Sequence, residues 1–207
     1  MKKFFVTGIG TDVGKTLVSA ILVEALGADY WKPVQAGSLG NTDGDTLRSL
    51  ISNQNTIFHP EAYRLQMPAS PHAAAAAEGL TIDPANITVP ETENHLVIEG
   101  AGGVMVPLNP SFLVIDLLAS WQIPTVLVSR NYLGSINHTL LTVEALQKRN
   151  VPIAGILFNG DPNPATEEVI LHYTQLRRLP SLRQEQALSR EVIRGYADQF
   201  QAFLINE

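Results

Sequence analysis

Two lysines, a threonine and three carboxylates carry the chemistry open to this chain. Lys15 and Thr16 follow a glycine-rich turn in VTGIGTDVGKTLVSA, residues 6–20. Lys32 closes the apolar start of DYWKPVQAG, Asp43 and Asp45 stand together in NTDGDTLRSL, and Glu99 ends HLVIE. A lysine and a hydroxyl at a helix start, behind converging backbone N–H groups, suit a polyphosphate. The amides and the helix dipole meet the anion, the lysine reaches the outer phosphates, and the hydroxyl sits on magnesium. An acidic residue after an apolar strand is the usual magnesium holder opposite such a loop, so Glu99 and one of the two aspartates are metal candidates.

Each reading has an ordinary alternative. The strict phosphate-loop template wants glycine at position 9, where this chain has Ile9 between Gly8 and Gly10. Lys15 could be solvated at the start of a core helix, although a cation in the first turn is disfavoured unless an anion offsets it. Either aspartate could simply cap its helix, and Glu99 could be a strand-end carboxylate in water. The co-occurrence with Gly-Lys-Thr favours the metal reading.

These residues need elements to hold them at one edge. Apolar runs of strand length recur at 4–6, 30–34, 95–98, 125–128 and 153–158, with helix-like segments at 17–26, 112–121 and 136–149. That alternation predicts an α/β fold, a mainly parallel sheet with helices on both faces and ligands at the carboxyl ends of the strands. Residues 36–90 are less regular and predict an excursion containing a short helix in HAAAAAEG. The last segment, 189–204, places Val192, Ile193, Tyr196, Phe200, Phe203 and Leu204 near helical spacing, so one face should dock on the core.

Bulk properties narrow the function. The 207 residues, 45% hydrophobic, suit one domain spanning 1–207. A net charge of −6 without basic clusters argues against nucleic acid as a partner. No cysteine is present, so neither a thiolate metal site nor a cysteine nucleophile is available. No apolar stretch has the length of a signal-peptide core or a membrane span, which predicts a cytoplasmic protein without a membrane partner. His59, His72, His95, His138 and His172 form no metal-ligand spacing.

The motifs GIGTDVGKT, KPVQAG, SPHAAAAAEG, VIEGAGGVMVPL and YLGSINHTLLT occur in the order found in dethiobiotin synthetases, and the chain resembles that family over nearly its whole length. The phosphate loop alone is shared with many ATPases; the last two motifs are far more specific. The resemblance implies a single-domain P-loop NTPase fold and an ATP- and magnesium-dependent ligase. In that reaction 7,8-diaminononanoate takes up CO₂ as a carbamate, receives the γ-phosphoryl group and closes to dethiobiotin, releasing ADP and phosphate.

Carried over by position, the resemblance implies that Asp12, Val13, Gly14, Lys15, Thr16 and Leu17 hold the nucleotide together with Glu99, Gly100, Gly102 and Gly103. Lys15 would contact the transferred phosphoryl group, Lys32 would face the carbamate, and Thr11 and Asp12 would lie beside the substrate amines. Thr16, Asp45 and Glu99 would hold magnesium. Asn159 with Pro180, Ser181 and Leu182 would recognise adenine, and Gly134, Ser135, Ile136 and Asn137 would hold the substrate carboxylate from the neighbouring subunit of a homodimer.

Two positions depart from the family pattern. Asp12 stands where glutamate is commoner, which shortens the reach of its carboxylate. Ala36 replaces a serine or threonine that would face substrate, a hydrogen bond worth about 1.5–3 kcal/mol to a charged group, unless a neighbour such as Ser38 substitutes. The segments before Lys32 and before LPSL are also short, which leaves Tyr173 as the remaining tyrosine for the substrate carboxylate. The rival readings are a partition- or septum-type ATPase switch, whose loop carries an additional lysine missing from GTDVGKT, and an amide-forming synthetase of the cobyrinate type, which needs an attached glutaminase.

Overall fold

The structure, a computed structural model, describes the backbone of residues 1–205 and the side chains of 1–201. The side chains of Phe203 and Leu204, expected on the docking face of the last helix, lie outside the described residues. In chain order the first half contains β1 (Lys3–Gly8), α1 (Lys15–Leu26), β2 (Asp29–Trp31), β3 (Val34–Ala36), α2 (Asp43–Leu50), β4 (Phe58–His59), β5 (Tyr63–Leu65) and α3 (Pro71–Ala77). The second half contains β6 (Leu96–Gly103), β7 (Pro107–Asn109), β8 (Phe112–Leu113), α4 (Val114–Trp121), β9 (Thr125–Arg130), α5 (Ser135–Lys148), β10 (Ile153–Asn159), α6 (Pro164–Thr174) and α7 (Arg190–Ile205).

Six strands form one parallel sheet in the order β10-β9-β1-β6-β2-β4. Side chains alternate across a strand, so β1 sends Phe4 and Val6 to one face and Phe5 to the other. On the first face these residues, with Tyr30 and Val97, pack against Val18, Ile21 and Leu22 of α1, Leu47 of α2, and Ile193 and Phe200 of α7. On the second, Phe5, Trp31, Leu96 and Ile98 meet Ala74 of α3 and Ile115 and Leu118 of α4. Helices therefore cover both faces, and polar ends of the strands are left at the carboxyl edge. Among the described residues no helix is long and apolar enough to cross a membrane.

Four local features differ from the sequence expectation. The run 30–34 is not one strand: Pro33 has no N–H for the ladder, β2 stops at Trp31, and β3 pairs with β5 in a separate small sheet. The helix expected from 112 begins at Val114, because Phe112 and Leu113 pair antiparallel with β7 and the Leu113 N–H donates to Asp116 Oδ2 at 2.8 Å. Phe58–His59 leaves the irregular region to become an edge strand beside β2. Helix α6 was not expected, although its signals are in the sequence: Asn163 accepts the Thr166 N–H at 3.2 Å, Pro164 occupies the first turn, and Glu167 lies near the N-terminus.

Candidate active site

The phosphate loop leaves β1 in the centre of the sheet and enters α1. Asp12 and Gly14 both have left-handed backbone, φ 56° and 102°, which tips successive N–H groups toward a common point. Gly14 tolerates that conformation because it lacks a Cβ, and any side chain there would run into the Asn159 amide. Lys15, nearly buried, folds back so that Nζ donates to Gly10 O at 2.8 Å. Burial chiefly, and repulsion from Lys32, hold the Lys15 ammonium below the ordinary lysine range despite attraction from Glu99 and Asp43. A phosphate beside it would remove that penalty.

Two neighbouring strands and two helix starts supply the rest. In the β2–β6 register Trp31 faces Ile98, so Lys32 emerges beside Glu99 one step further on. Lys32 Nζ lies 2.6 Å from Asp43 Oδ2 and 3.1 Å from Glu99 Oε1. Thr16 Oγ1, from the first turn of α1, lies 2.9 Å from both Asp43 Oδ1 and Glu99 Oε1. Burial would depress Lys32, but the charges of Glu99 and Asp43 outweigh it and raise its pKa. Asp43 feels the converse: burial pushes it up, the Lys32 charge and the bonds from Lys32 and Thr16 pull it further down, and it stands below the usual aspartate range. Glu99 is only 1% exposed, and its second oxygen accepts the Tyr30 hydroxyl at 3.0 Å.

The aspartate of this cluster is Asp43, which corrects the expectation for Asp45. Asp45 is the third residue of α2 and closes a capping box: Thr42 Oγ1 accepts the Asp45 N–H at 3.1 Å, and Asp45 Oδ2 accepts the Thr42 N–H at 3.0 Å. Its other oxygen meets Arg48 at 3.2 Å. Asp43 precedes it by two positions and so turns to another side of the helix.

Thr16 Oγ1, Asp43 and Glu99 form a hard-oxygen set of one hydroxyl and two carboxylates. Among the described residues no three His, Cys, Asp or Glu side chains gather into a dedicated metal cage. Magnesium fits such a sparse set, because it keeps waters and takes phosphate oxygens for its remaining positions.

A cavity of about 870 Å³ opens over this cluster. Thr11, Asp12, Gly14, Lys15, Thr16, Lys32, Ala36, Glu99 and Gly102 line it, together with Asp43, Gln35, Ser38 and the 68–71 turn before α3. Gln35 was not singled out in the sequence; its amide donates to Gly37 O at 2.9 Å, within the wall that also carries Ala36. Other expected residues stand behind the surface. Val13 is buried, Leu17 packs on the core, a Cβ on Gly100 would meet the Phe5 ring, and Gly103 lies close to Gly8 O.

Asn159, at the end of β10, donates Nδ2 to Val13 O at 2.8 Å and so ties the phosphate loop to the next pocket. Residues 178–182 run alongside β10 through bridges Ile156–Arg178 and Asn159–Leu182. Pro180 is half-buried there, and Ser181 and Leu182 line a second cavity of about 570 Å³ with Arg178, Glu185 and Tyr196. Gly134, Ser135, Ile136 and Asn137 do not line the main cavity; they form the start of α5, with Leu133 fully exposed beside them. Tyr173 is exposed on α6 and lines neither cavity.

A parallel α/β sheet with a glycine loop, lysine and threonine at the first strand and acidic groups on its neighbours defines a P-loop nucleotide-binding protein. Solved structures agree on the fold. A putative plasmid partition protein from Borrelia burgdorferi bound to AMPPNP has a TM-score of 0.60 at 14% identity, covering 100% of this chain and 99% of its own. The septum site-determining protein MinD with Mg-ADP from Pyrococcus horikoshii has 0.59 at 13%, covering 98% and 97%. The family model described as AAA domain matches residues 2–192.

Sequence relatives define the particular family. An ATP-dependent dethiobiotin synthetase from Cytophaga hutchinsonii is 52% identical over 95% of this chain and 96% of its own length. Those from Christiangramia forsetii and Agrobacterium fabrum are 49% and 44% identical, each over 96% of this chain and over 96% and 94% of their own lengths. The chain belongs to the ATP-dependent dethiobiotin synthetase family.

Proposed function

We infer that this chain carries out the family's reaction, the ATP- and magnesium-dependent carboxylation and ring closure of 7,8-diaminononanoate with CO₂ to dethiobiotin, ADP and phosphate. The observation that carries this reading is a single cavity lined by both Lys15 of the phosphate loop and Lys32 of β2. An ATPase switch needs the first lysine; a reaction that builds negative charge on a second substrate uses both.

Each step develops anionic charge, so fixed cations and N–H groups suit it better than a protein nucleophile. Lys15 and the amides of 12–16 hold the transferred phosphoryl group, and Lys32 holds the carbamate. Thr16, Asp43 and Glu99 would hold magnesium, which would supply positive charge against the anionic phosphates. Thr11 and Asp12, which line the cavity, orient the substrate amines. Asn159 and 180–182 take the adenine ring, next to the second cavity.

The substrate tail requires a second copy of the chain. Gly134–Asn137 present a helix start suited to a carboxylate, yet they lie outside the cavity of their own chain, and Leu133, Ile136 and Leu141 in and next to this segment are exposed. A homodimer that brings this segment over the partner's cavity supports both facts.

The test is phosphate release from ATP, magnesium and bicarbonate, with and without the diamine, with mass spectrometry of the product. Release that depends on the diamine and yields dethiobiotin is expected. Hydrolysis indifferent to the diamine would overturn the assignment.

A further inference from the structure

Glu99 has two oxygens in different surroundings. Oε1 meets Thr16 and Lys32 at 2.9 and 3.1 Å, on the cavity side. Oε2 accepts the Tyr30 hydroxyl at 3.0 Å inside the core. The last torsion of a glutamate is soft and roughly two-fold, so without an inner partner the carboxylate could turn about its axis. A hydrogen bond on the inner oxygen fixes which oxygen faces the cavity and at what angle.

The strand geometry explains why this tyrosine reaches. Tyr30 pairs with Val97 in the parallel register, two residues before Glu99, and both side chains point to the face that carries α1 and α2. Lys32 shares that face because it is two residues beyond Tyr30. The Tyr30 ring lies beside Phe58 of the edge strand, with centroids 5.8 Å apart and planes tilted by 57°, while among the described residues its hydroxyl is held by Glu99 alone. Period-two spacing from Lys32 was the available sequence signal for Tyr30, and the hydroxyl is buried with Glu99 as its partner.

We propose that Tyr30 is a positioning residue that holds Glu99 with Oε1 turned toward Thr16 and Lys32, on the cavity side, and thereby sets the magnesium affinity of the site. This rests on the reading of Glu99 as a magnesium ligand. Partners that orient a ligating carboxylate from behind typically change metal affinity about 10–100-fold when removed. Tyr30→Phe keeps the ring and deletes only the hydrogen bond.

The experiment titrates manganese(II), a paramagnetic stand-in for magnesium, into the full chain at saturating ADP and follows free ion by EPR. Tyr30→Phe should bind manganese roughly ten-fold or more weakly, while Phe58→Leu, which alters the same aromatic pair but no carboxylate bond, binds as wild type. In phosphate-release assays Tyr30→Phe should need more magnesium for half-maximal rate and approach wild-type turnover at saturation. Wild-type manganese affinity in Tyr30→Phe, equal weakening in Phe58→Leu, or loss of the folded state of Tyr30→Phe by circular dichroism would each overturn the proposal. Glu99→Gln separates the two levels: if it binds manganese as wild type, the metal-ligand reading itself fails; if it alone loses binding, only the role of Tyr30 does.

Discussion

Lys32 Nζ and Asp43 Oδ2 stand 2.6 Å apart, joining the end of β2 to the first residue of α2. The pair makes the start of α2 part of the site, whereas Asp45, two residues on, belongs to the helix cap. Asp43→Asn should raise the magnesium needed for half-maximal phosphate release by roughly ten-fold or more. Asp45→Asn should leave that requirement unchanged and lower only thermal stability. A magnesium titration of both variants decides between them, and the reverse pattern would return the metal role to Asp45.

Lys15 is proposed to meet charge that grows on the transferred phosphoryl group. Lys15→Ala should lower turnover about 10²–10³-fold, the loss typical of removing one electrostatic contact to a transition state. Diamine-dependent phosphate release at saturating ATP and magnesium measures it; wild-type turnover would remove Lys15 from the mechanism.

Gly14 combines left-handed backbone with the Asn159 amide packed where a Cβ would go. Gly14→Ala should carry about 1–2 kcal/mol of backbone strain and displace Asn159, so ATP affinity falls while the sheet stays folded. Calorimetric titration with a non-hydrolysable ATP analogue checks this, and unchanged affinity would show that the loop absorbs the methyl group.

Asp29 lies buried at the opposite edge of the sheet, with Thr92 Oγ1 at 2.6 Å, the Ile57 N–H at 3.0 Å, Asn94 at 3.2 Å and His59 at 3.5 Å. Burial pushes its pKa up, but those hydrogen bonds and His59 pull it below the usual aspartate range. A depressed carboxyl stabilises the fold fully above its unfolded pKa, and that stability is lost as pH falls through the lower folded value. Asp29→Asn should therefore cost about 1–3 kcal/mol near neutral pH and flatten the acid limb of the stability curve. Urea unfolding at pH 7 and below 4 tests both parts, and parallel curves for the two proteins would contradict them.

If two copies build each site, inactive partners should rescue one another. Mixed Lys15→Ala and Asn137→Ala chains would form hybrids in which one of the two sites has an intact Lys15 and an intact Asn137. After subunit exchange about a quarter of wild-type activity should return. No recovery in a mixture shown by mass spectrometry to contain hybrids would place the whole site in one chain.

Much of this protein is legible in its residues taken in order. The strand-helix alternation, the loop at 8–16 and the place of Lys32 just past β2 are local patterns, set by backbone sterics and by which side chains must leave water; Glu99, expected to end its strand, instead lies within β6, which runs on to Gly103. The motif resemblance extended that reading to the reaction, and relatives about half identical across the chain bear it out.

What the order of residues left open was settled by directions in space. Asp43 and Asp45 have the same chemistry and lie on the same turn; only the capping bond to Thr42 turns one inward to the helix end and frees the other for Thr16 and Lys32. Pro33 breaks an apolar run that reads as continuous, and Tyr30 becomes a partner of Glu99 only because β2 and β6, whose first residues Asp29 and Leu96 are 67 positions apart in sequence, lie side by side in a fixed register. Local preference determines which elements form and which residues carry charge. Which of two equal carboxylates meets a lysine from another strand depends on packing between distant segments, and that is decided by the tertiary structure.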